Sequence, residues 1–418
     1  MLLRRLVGPP LKLYRGPRAA VEVTYVRVGQ RIGGEFYGLG SLVHDAREVV
    51  NLSTLKTAHE TVSSWVRSLR PAEALRLVVV LPLKRDEAPE ARACSEALVA
   101  HSWSAAREIG PRFGATANIL RVDDWSKDAE NALHFLLSGR AACVSRTELE
   151  VPSAETDSES AQQIRRRRTR NIQGSPRLFS DYEDDHSDVR GLRCLVTGAF
   201  GGIGRAVVRR LTDLGAKIAL VDAKGGNDSS WPFRAVDYLN EEDCGAAKIS
   251  EFTKEIFGDK SVDVVAHVSG APRDRTLRKM SPRDWDDCMR INYMAPMAID
   301  KALAPKTSIL FSSVVASTGN FGQANYSSAK RALKAFAEAS DASHDPNYRV
   351  IAPGYVDTPM TRKHVPWLQR IFAAHFASTL QQPVLPEDVA NATAFLASPK
   401  SKALRGQTLR VCGGFLIA

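Results

Sequence analysis

Residues Ser308–Lys330, SILFSSVVASTGNFGQANYSSAK, carry the strongest signal in the sequence. The stretch begins as an apolar strand, breaks at Ser312 and Ser313, crosses a glycine-containing loop, and ends with Tyr326 and Lys330 four residues apart. That spacing places the phenol and the ammonium on one face of a helix. Free tyrosine has a pKa of about 10, and a neighbouring cation favours the phenolate. The pattern predicts that Tyr326 exchanges a proton with a substrate oxygen held by the Ser313 hydroxyl. An ordinary exposed pair on an amphipathic helix is the alternative.

A glycine-rich turn lies well upstream of this stretch. The apolar run RCLVT, Arg193–Thr197, is followed at once by GAFGGIG and then by the helical pattern RAVVRRLTDLG. Glycines at such a junction allow the backbone to approach a pyrophosphate, whose charge then lies at the helix N-terminus. Simple packing of helix against strand is the alternative. We predict dinucleotide binding here, with contacts from Gly198, Gly202, Ile203 and Gly204.

Asp222 ends the predicted strand KIALVD, eighteen residues beyond Gly204. A carboxylate in that position accepts hydrogen bonds from ribose hydroxyls and repels a 2′-phosphate. The sequence therefore predicts NADH as the cofactor, with NADPH less favoured.

Taken together, the T-G-x-x-x-G-x-G turn, the serine thirteen residues before the tyrosine and the Tyr-x-x-x-Lys pair resemble the short-chain dehydrogenase/reductase family. The order of two α/β halves, with the reductase second, resembles most closely the two-domain, high-molecular-weight 3-oxoacyl-[acyl carrier protein] reductases. This likeness extends over nearly everything from about Gly38 except a charged linker. It implies NAD(P)H-dependent reduction of a 3-oxoacyl thioester, carried by acyl carrier protein or CoA, in fatty-acid synthesis.

Two other functions remain open at this point. One is an NAD-dependent 3-hydroxyacyl-CoA dehydrogenase or other alcohol dehydrogenase. The other is a catalytically silent structural subunit that retains a reductase fold.

The resemblance also implies roles for individual residues. Tyr326 would protonate the forming alkoxide, Ser313 would hydrogen-bond it, and Lys330 would hold the cofactor ribose. Asn292 would anchor a proton relay that leads to the lysine. Further cofactor contacts are expected from Asp237, for which a turn residue is an equal alternative, and from Gly270, Pro353, Gly354 and Thr358.

One segment departs from the family pattern, and another is expected to select the substrate. Where most members have Asn-Asn-Ala-Gly, this chain has His-Val-Ser-Gly at 267–270, and His267 is expected to be a hydrogen-bonded replacement for an asparagine. In residues 361–383, apolar side chains suit an acyl chain, and Arg362, Lys363 and Arg370 suit a phosphate or an acidic carrier. A solvated helix face explains the same basic residues equally well.

The first half alternates apolar runs with helical periods from residue 21 to residue 152. This alternation predicts a parallel sheet covered on both faces, closed by AACVS at 141–145 as the last strand. Because this half has no glycine-rich strand-to-helix turn and no Tyr-x-x-x-Lys, we expect a degenerate Rossmann-like domain without cofactor chemistry. His101, on the predicted helix Glu90–Ile109, is expected to serve packing rather than catalysis. The predicted fold class is therefore α/β, with two doubly wound parallel-sheet domains at 21–152 and 190–418.

The remaining segments are charged. Residues 1–20 are Arg-rich and acid-free, which predicts a mitochondrial targeting segment, with a cytoplasmic tail as the alternative. Residues 153–189 predict an exposed linker containing RRRRTR. Residues 1–20 and the linker cluster of Arg165–Arg168 with Arg170 hold ten positive charges, which equal the formal net charge of +10, so no nucleic-acid-binding face is needed.

Cysteine spacing and hydropathy bear on the compartment, on metal binding and on membrane spans. The six cysteines show no metal-ligand or redox spacing, so we expect a reducing compartment and no metal site. No apolar run approaches the eighteen or so residues that a membrane span needs. A homo-oligomer, a dimer or tetramer formed through the second half, is expected from the resemblance.

Overall fold

The structure is a computed structural model that describes residues 23–27, 41–69, 75–84, 87–123, 125–152, 186–225, 230–258, 261–340, 346–364 and 372–415. The predicted targeting segment, nearly all of the predicted linker and Arg370 lie outside these residues. The chain divides into two compact units, Met1–Asp185 with Ser378–Gln382, and His186–Ala377 with Pro383–Ala418.

The first unit is a parallel five-stranded sheet with helices between its strands. Its strands are β1 (Val23–Arg27), β2 (Ser41–Asp45), β3 (Arg76–Leu81), β4 (Thr116–Val122) and β5 (Glu148–Val151), and its helices are α1 (Leu52–Ser68), α2 (Pro89–Phe113) and α3 (Lys127–Leu137). Helix α1 begins at a capping box, in which the Asn51 side chain accepts a hydrogen bond from the Thr54 amide at 3.0 Å. Its apolar face, with Val62 and Trp65, packs into a core that includes Leu77 and Val79 of β3.

The order of the first sheet corrects the sequence prediction. Its strands lie in chain order, β1-β2-β3-β4-β5, without the reversal that defines a doubly wound sheet. Hydropathy gave the elements and their parallel direction but not their order, because β2, β3 and β4 are each buried on both faces whatever their neighbours are. The described strands of this unit therefore lack the switch point at which doubly wound sheets bind ligands.

The prediction of a strand at AACVS was wrong, since the last strand of the first unit is β5. Residues Gly139–Ala141 form a 3-10 turn capped by the Ser138 hydroxyl. The Asn118 amide on β4 donates to the Val144 carbonyl at 3.0 Å. Arg146, the residue directly after the run, has a φ of +57°, so no extended strand continues there. The apolar run is buried in a turn. Its composition indicated the burial correctly but not the conformation.

The second unit is a parallel seven-stranded sheet. Its strands are β6 (Arg193–Thr197), β7 (Lys217–Asp222), β8 (Phe233–Ala235), β9 (Val264–His267), β10 (Thr307–Phe311), β11 (Asn347–Pro353) and β12 (Thr408–Val411). Its helices are α4 (Gly202–Asp213), α5 (Ala246–Phe257), α6 (Pro282–Met289), α7 (Ala295–Leu303), α8 (Val315–Thr318), α9 (Ala324–Ala339), α10 (Pro359–His364) and α11 (Pro386–Ala397).

This second sheet is doubly wound, as the sequence predicted. Its order β12-β11-β10-β9-β6-β7-β8 reverses between β6 and β9. The carboxyl ends of these two strands, at Thr197 and His267, are directly paired in register. Parallel α/β sheets bind their ligands outside the carboxyl ends of the strands at such a switch point.

None of the helices in the described ranges combines the length and the hydropathy that crossing a bilayer requires.

Candidate active site

The glycine-rich turn joins β6 to α4 at the switch point. Gly198 has a φ of +63°, a conformation that favours glycine. A Cβ at Gly204 would lie only 2.0 Å from the Gly198 carbonyl oxygen, so the turn can close this tightly only with glycine there. Helix α4 begins after Gly201 with no side-chain cap, which leaves its first amide groups free of side-chain acceptors and suited to an anion.

Asp222 lies beside this turn at the end of β7. Its carboxylate accepts hydrogen bonds from the Phe200 amide at 3.0 Å and from the Lys224 amide at 3.3 Å. Asp237 instead serves its own turn, since its carboxylate accepts from the Leu239 amide at 3.1 Å and from the Asn240 side chain at 2.9 Å. The structure thus places Asp222 at the glycine-rich turn and gives Asp237 the turn role that the sequence left open.

Tyr326 and Lys330 lie one turn apart on α9, with the Lys330 Nζ 5.6 Å from the centroid of the tyrosine ring. Burial lowers the pKa of Lys330 to about 8. Burial also raises the pKa of Tyr326, and the nearby Cys288 and Asp274 add to the rise. The expectation that the cation favours a phenolate is therefore wrong for this structure, because desolvation of the phenolate dominates. Tyr326 stays protonated at neutral pH, which is the form that can donate a proton.

Gly270, Asn292 and Lys330 meet at one point. Between α6 and α7, the π-helical turn Arg290–Met294 carries Asn292, which is fully buried. Its amide donates to the Ala271 and Cys288 carbonyls, both at 2.9 Å. A Cβ at Gly270 would lie 3.0 Å from the Asn292 Oδ1 and 3.3 Å from the Lys330 Nζ. Asn292, the predicted relay residue, and Lys330 therefore lie together beside Gly270.

The two serines after β10 have different environments. The Ser312 hydroxyl is buried and donates to the Lys330 carbonyl at 2.8 Å, so it anchors α9 against the sheet. The Ser313 hydroxyl accepts from the Val315 amide at 3.4 Å, and the residue is partly exposed. Of the two serines, Ser313 is the accessible one.

The segment after β11 adjoins both the serine and the glycine-rich turn. The Pro353 carbonyl accepts from the Val314 amide at 3.1 Å, directly after Ser313. Gly354 packs so tightly on Cys412 that a Cβ would lie 2.8 Å from the cysteine Cβ. A Cβ at Gly202 would lie 2.9 Å from the side chain of Thr358. Pro353, Gly354 and Thr358 are thus grouped with the other predicted cofactor residues.

Asn325 is a positioning residue that the sequence reasoning missed. It is fully buried, and its amide donates to the Arg273 carbonyl at 2.9 Å and to the Asp284 carbonyl at 3.0 Å. Its Oδ1 accepts from the Tyr326 amide at 2.8 Å. Asn325 therefore ties the start of α9 to α6 and to the loop after β9. Its place immediately before the tyrosine was the available signal, but only the fold shows its partners.

His267 is hydrogen-bonded, as predicted for a replacement of asparagine. Its Nε2 lies 2.8 Å from the Asp300 Oδ1, and the Ser308 hydroxyl donates to the Asp300 Oδ2 at 2.7 Å. All three residues are buried. The network joins β9, β10 and α7 behind the strand end that leads to Gly270.

Of the basic residues expected to select the substrate, Arg362 already has a partner. Its guanidinium forms a bidentate pair with Asp357, at 2.7 and 2.8 Å. Lys363 is exposed, and Arg370 lies outside the described residues. Arg362 is therefore available to a phosphate only if this pair opens.

Substituting Gly270 with alanine tests how closely the site is packed. The new methyl group would press on the Asn292 Oδ1 and the Lys330 Nζ, and small displacements of catalytic groups cost up to roughly 100-fold in rate. We expect kcat for the reduction that the family resemblance implies to fall by about 10-fold or more, while the thermal unfolding midpoint changes little. Gly225→Ala is the matched control, since its Cβ would meet only the Phe233 ring at 3.7 Å. Equal rates for the two variants would show that this contact is unimportant.

Comparisons with known proteins agree in which part of the chain they match. A family model described as enoyl-(acyl carrier protein) reductase matches residues 198–416. The 3-oxoacyl-[acyl-carrier-protein] reductase FabG of Escherichia coli (strain K12) is 31% identical over 250 residues, covering 54% of this chain and 97% of that protein. Its namesake in Rickettsia bellii is 29% identical over 248 residues, covering 55% of this chain and 99% of that protein.

A solved structure matches the same share of the chain. The ligand-free aldohexose dehydrogenase of Thermoplasma acidophilum superposes with a TM-score of 0.50 at 25% identity, covering 56% of this chain and 96% of that one.

Proposed function

The chain belongs to the short-chain dehydrogenase/reductase family, and on that premise we propose that it reduces the 3-oxo group of an acyl thioester. It is a short-chain oxidoreductase that uses a nicotinamide cofactor. The observation that supports the proposal most strongly is the pairing of a protonated Tyr326 with a buried Lys330 beside Gly270. These residues supply a proton and a positive charge, which are what a carbonyl oxygen needs as it becomes an alcohol.

The second unit fits a nicotinamide dinucleotide. The glycine-rich turn and the uncapped start of α4 suit its pyrophosphate. Asp222 suits the adenosine ribose, and Lys330 suits the other ribose. When bound, the cofactor supplies the hydride for the carbonyl carbon.

The protein's own side chains handle the substrate oxygen. Ser313 donates a hydrogen bond to the carbonyl and holds it in place. Tyr326 donates its proton to that oxygen as negative charge develops, and the Lys330 charge stabilises the phenolate left behind. Asn325 and Ser312 hold α9 so that these groups keep their positions.

The substrate class is drawn from the names of the relatives. Two of them, from Escherichia coli and Rickettsia bellii, are 3-oxoacyl-[acyl-carrier-protein] reductases. We therefore place the reaction in fatty-acid synthesis, on a thioester of acyl carrier protein or CoA. The similarity to an aldohexose dehydrogenase favours a second candidate function. This function is the NAD-dependent oxidation of an alcohol, either a 3-hydroxyacyl-CoA or another one.

Two steady-state assays separate these functions, one following NADH oxidation and one following NAD⁺ reduction. We expect NADH oxidation with acetoacetyl thioesters of both carriers and little with crotonyl-CoA, and little NAD⁺ reduction with an aldohexose. Faster turnover of crotonyl-CoA would make the chain an enoyl reductase, and faster oxidation of a sugar would make it an alcohol dehydrogenase. Cofactor binding without any turnover would point to a structural subunit.

Cofactor choice is proposed to rest on Asp222, which favours NADH over NADPH. Its carboxylate, held by the Phe200 amide, would repel a 2′-phosphate. We expect Asp222→Asn to lower the ratio of kcat/KM for NADH to that for NADPH by about 10-fold, the scale of roughly 1.4 kcal/mol. Glu251, an exposed acid on α5, provides the control as Glu251→Gln. A wild-type preference for NADPH would contradict the assignment.

The reduction should lose rate at alkaline pH. Lys330 is charged below its pKa of about 8 and neutral above it. Tyr326 and Cys288, whose pKa values are raised by burial, stay protonated in this range. We expect kcat/KM for NADH, which reports on the cofactor-free enzyme, to be level at lower pH and to fall as pH rises through about 8. The arginine in Lys330→Arg stays charged over this pH range. The decline in kcat/KM should therefore disappear in this variant, although its rate is lower. An unchanged decline in that variant would assign it to another group.

Assembly and location complete the proposal. We place the chain in a homo-oligomer, a dimer or tetramer formed through the second half, and in mitochondria by way of residues 1–20. Light scattering of the purified protein tests the first assignment. Import of a reporter fused to those residues tests the second, and a reporter that stays in the cytoplasm would refute it.

A further inference from the structure

Two histidines on neighbouring helices of the first unit face each other. His59 on α1 and His101 on α2 are 42 residues apart in sequence, yet the His59 Nδ1 lies 2.9 Å from the His101 Nε2. Their rings meet edge to face, with centroids 5.1 Å apart. Ser63, one turn along α1, places its hydroxyl 3.3 Å from the His59 Nδ1. This cluster lies in the half of the chain to which the proposed reaction assigns no chemistry.

The two nitrogens share one hydrogen bond at 2.9 Å, and a metal ion can replace its hydrogen once the nitrogens move apart. Zinc–imidazole bonds of about 2.0–2.1 Å at a tetrahedral angle separate two ligand nitrogens by roughly 3.4 Å. Small rotations of the two rings would open the present distance to that value. Imidazole is a preferred ligand of zinc, nickel and copper.

The surroundings of His101 hold its ring in place beside a negative charge. The ring is partly buried between the helices, which restricts its motion. Glu108, further along α2, acts on His101 with its negative charge and would favour a cation there. His59 is exposed, which leaves an open side for water ligands.

We propose that His59 and His101 form a two-histidine site for a divalent transition-metal ion that links α1 to α2. Within the described ranges no three histidine, cysteine or acidic side chains form a group that could hold a metal ion, so water molecules complete the coordination. Cysteine and histidine spacing in the sequence does not reveal the site, because its ligands come from different helices. The site is independent of the nicotinamide chemistry of the second unit.

The test uses the full-length chain without a histidine tag. Isothermal titration with Zn²⁺ measures affinity and stoichiometry, and electron paramagnetic resonance of a Cu²⁺-loaded sample counts the coordinating imidazoles. The six cysteines are all buried, so they compete little for either ion. We expect one ion per chain with two imidazole ligands, and a thermal unfolding midpoint that rises with Zn²⁺.

Three variants decide the outcome. We expect His59→Ala and His101→Ala each to weaken Zn²⁺ binding by about 100-fold, and Ser104→Ala, an exposed change one turn from His101, to leave it unaltered. Unchanged binding in His59→Ala, or a copper signal from one imidazole, would overturn the site and leave a hydrogen-bonded pair. Because His59 is exposed, we expect His59→Ala to fold. This variant therefore tests the metal site even if His101→Ala does not fold. Reductase activity should be the same in all three.

Discussion

Tyr326→Phe is expected to lower kcat for reduction of an acetoacetyl thioester by about 1000-fold, within the roughly 100- to 10,000-fold range of general acid catalysis. The change removes one hydroxyl and keeps the ring, so α9 and its contact with Lys330 should persist. Burial raises the pKa of Tyr326, so the wild-type phenol is fully protonated and every enzyme molecule carries the proton that the reaction uses. The dissociation constant of NADH should stay within a few-fold of wild type.

Tyr348→Phe is the matched control for this experiment. Tyr348 is a buried tyrosine on β11, edge to face with Phe336 at 5.1 Å between ring centroids. Burial raises the pKa of Tyr348 as it does that of Tyr326, and the two tyrosines differ in their place relative to Lys330. We expect kcat of the control to remain near wild type. A Tyr326→Phe enzyme that retained more than about a tenth of wild-type kcat would remove the phenol from the mechanism.

Gly204→Ala is expected to weaken NADH binding by about 100-fold or more and to lower the thermal unfolding midpoint. Its Cβ would lie 2.0 Å from the Gly198 carbonyl oxygen and 2.9 Å from the Ala199 backbone. Backbone atoms cannot rotate away as a side chain can, so the turn itself must shift. The amides at the start of α4 would then lose their common direction toward an anion.

Gly201→Ala adds a methyl group to the same turn with a smaller steric clash. Its Cβ would approach the same Gly198 oxygen, but only to 3.3 Å, and its φ of −67° suits any residue. We expect binding within a few-fold of wild type, measured by quenching of protein fluorescence on NADH titration. If Gly204→Ala bound NADH as tightly as Gly201→Ala does, the turn would not be the dinucleotide site.

The sequence predicted the second unit closely because its signals are local. The Tyr-x-x-x-Lys spacing, the glycine-rich turn and the acid at Asp222 each depend on neighbouring residues, and the strands around them have clear apolar runs. Asn292 and Thr358 were identified by resemblance, and the structure shows the contacts that bring them to the site, at Ala271 and Gly202 respectively.

The predictions that failed, and the contacts that were missed, depend on tertiary structure. The strand order of the first sheet depends on which strands pair. AACVS forms a turn in which the Val144 carbonyl accepts a hydrogen bond from Asn118 of β4. The rise in the pKa of Tyr326 depends on burial, which spacing along the chain does not show. The His59–His101 pair joins two helices, so spacing along the chain cannot show it.

The most direct test of the proposed mechanism is isotope transfer from the cofactor. Wild-type enzyme is incubated with acetoacetyl thioester and NADH carrying deuterium at the transferable position of the nicotinamide, and the product is examined by mass spectrometry. We expect one deuterium at C3 of a 3-hydroxybutyryl thioester from the wild type, and about 1000-fold slower formation of that product from Tyr326→Phe. A wild-type enzyme that binds NADH but leaves C3 without deuterium would contradict the account.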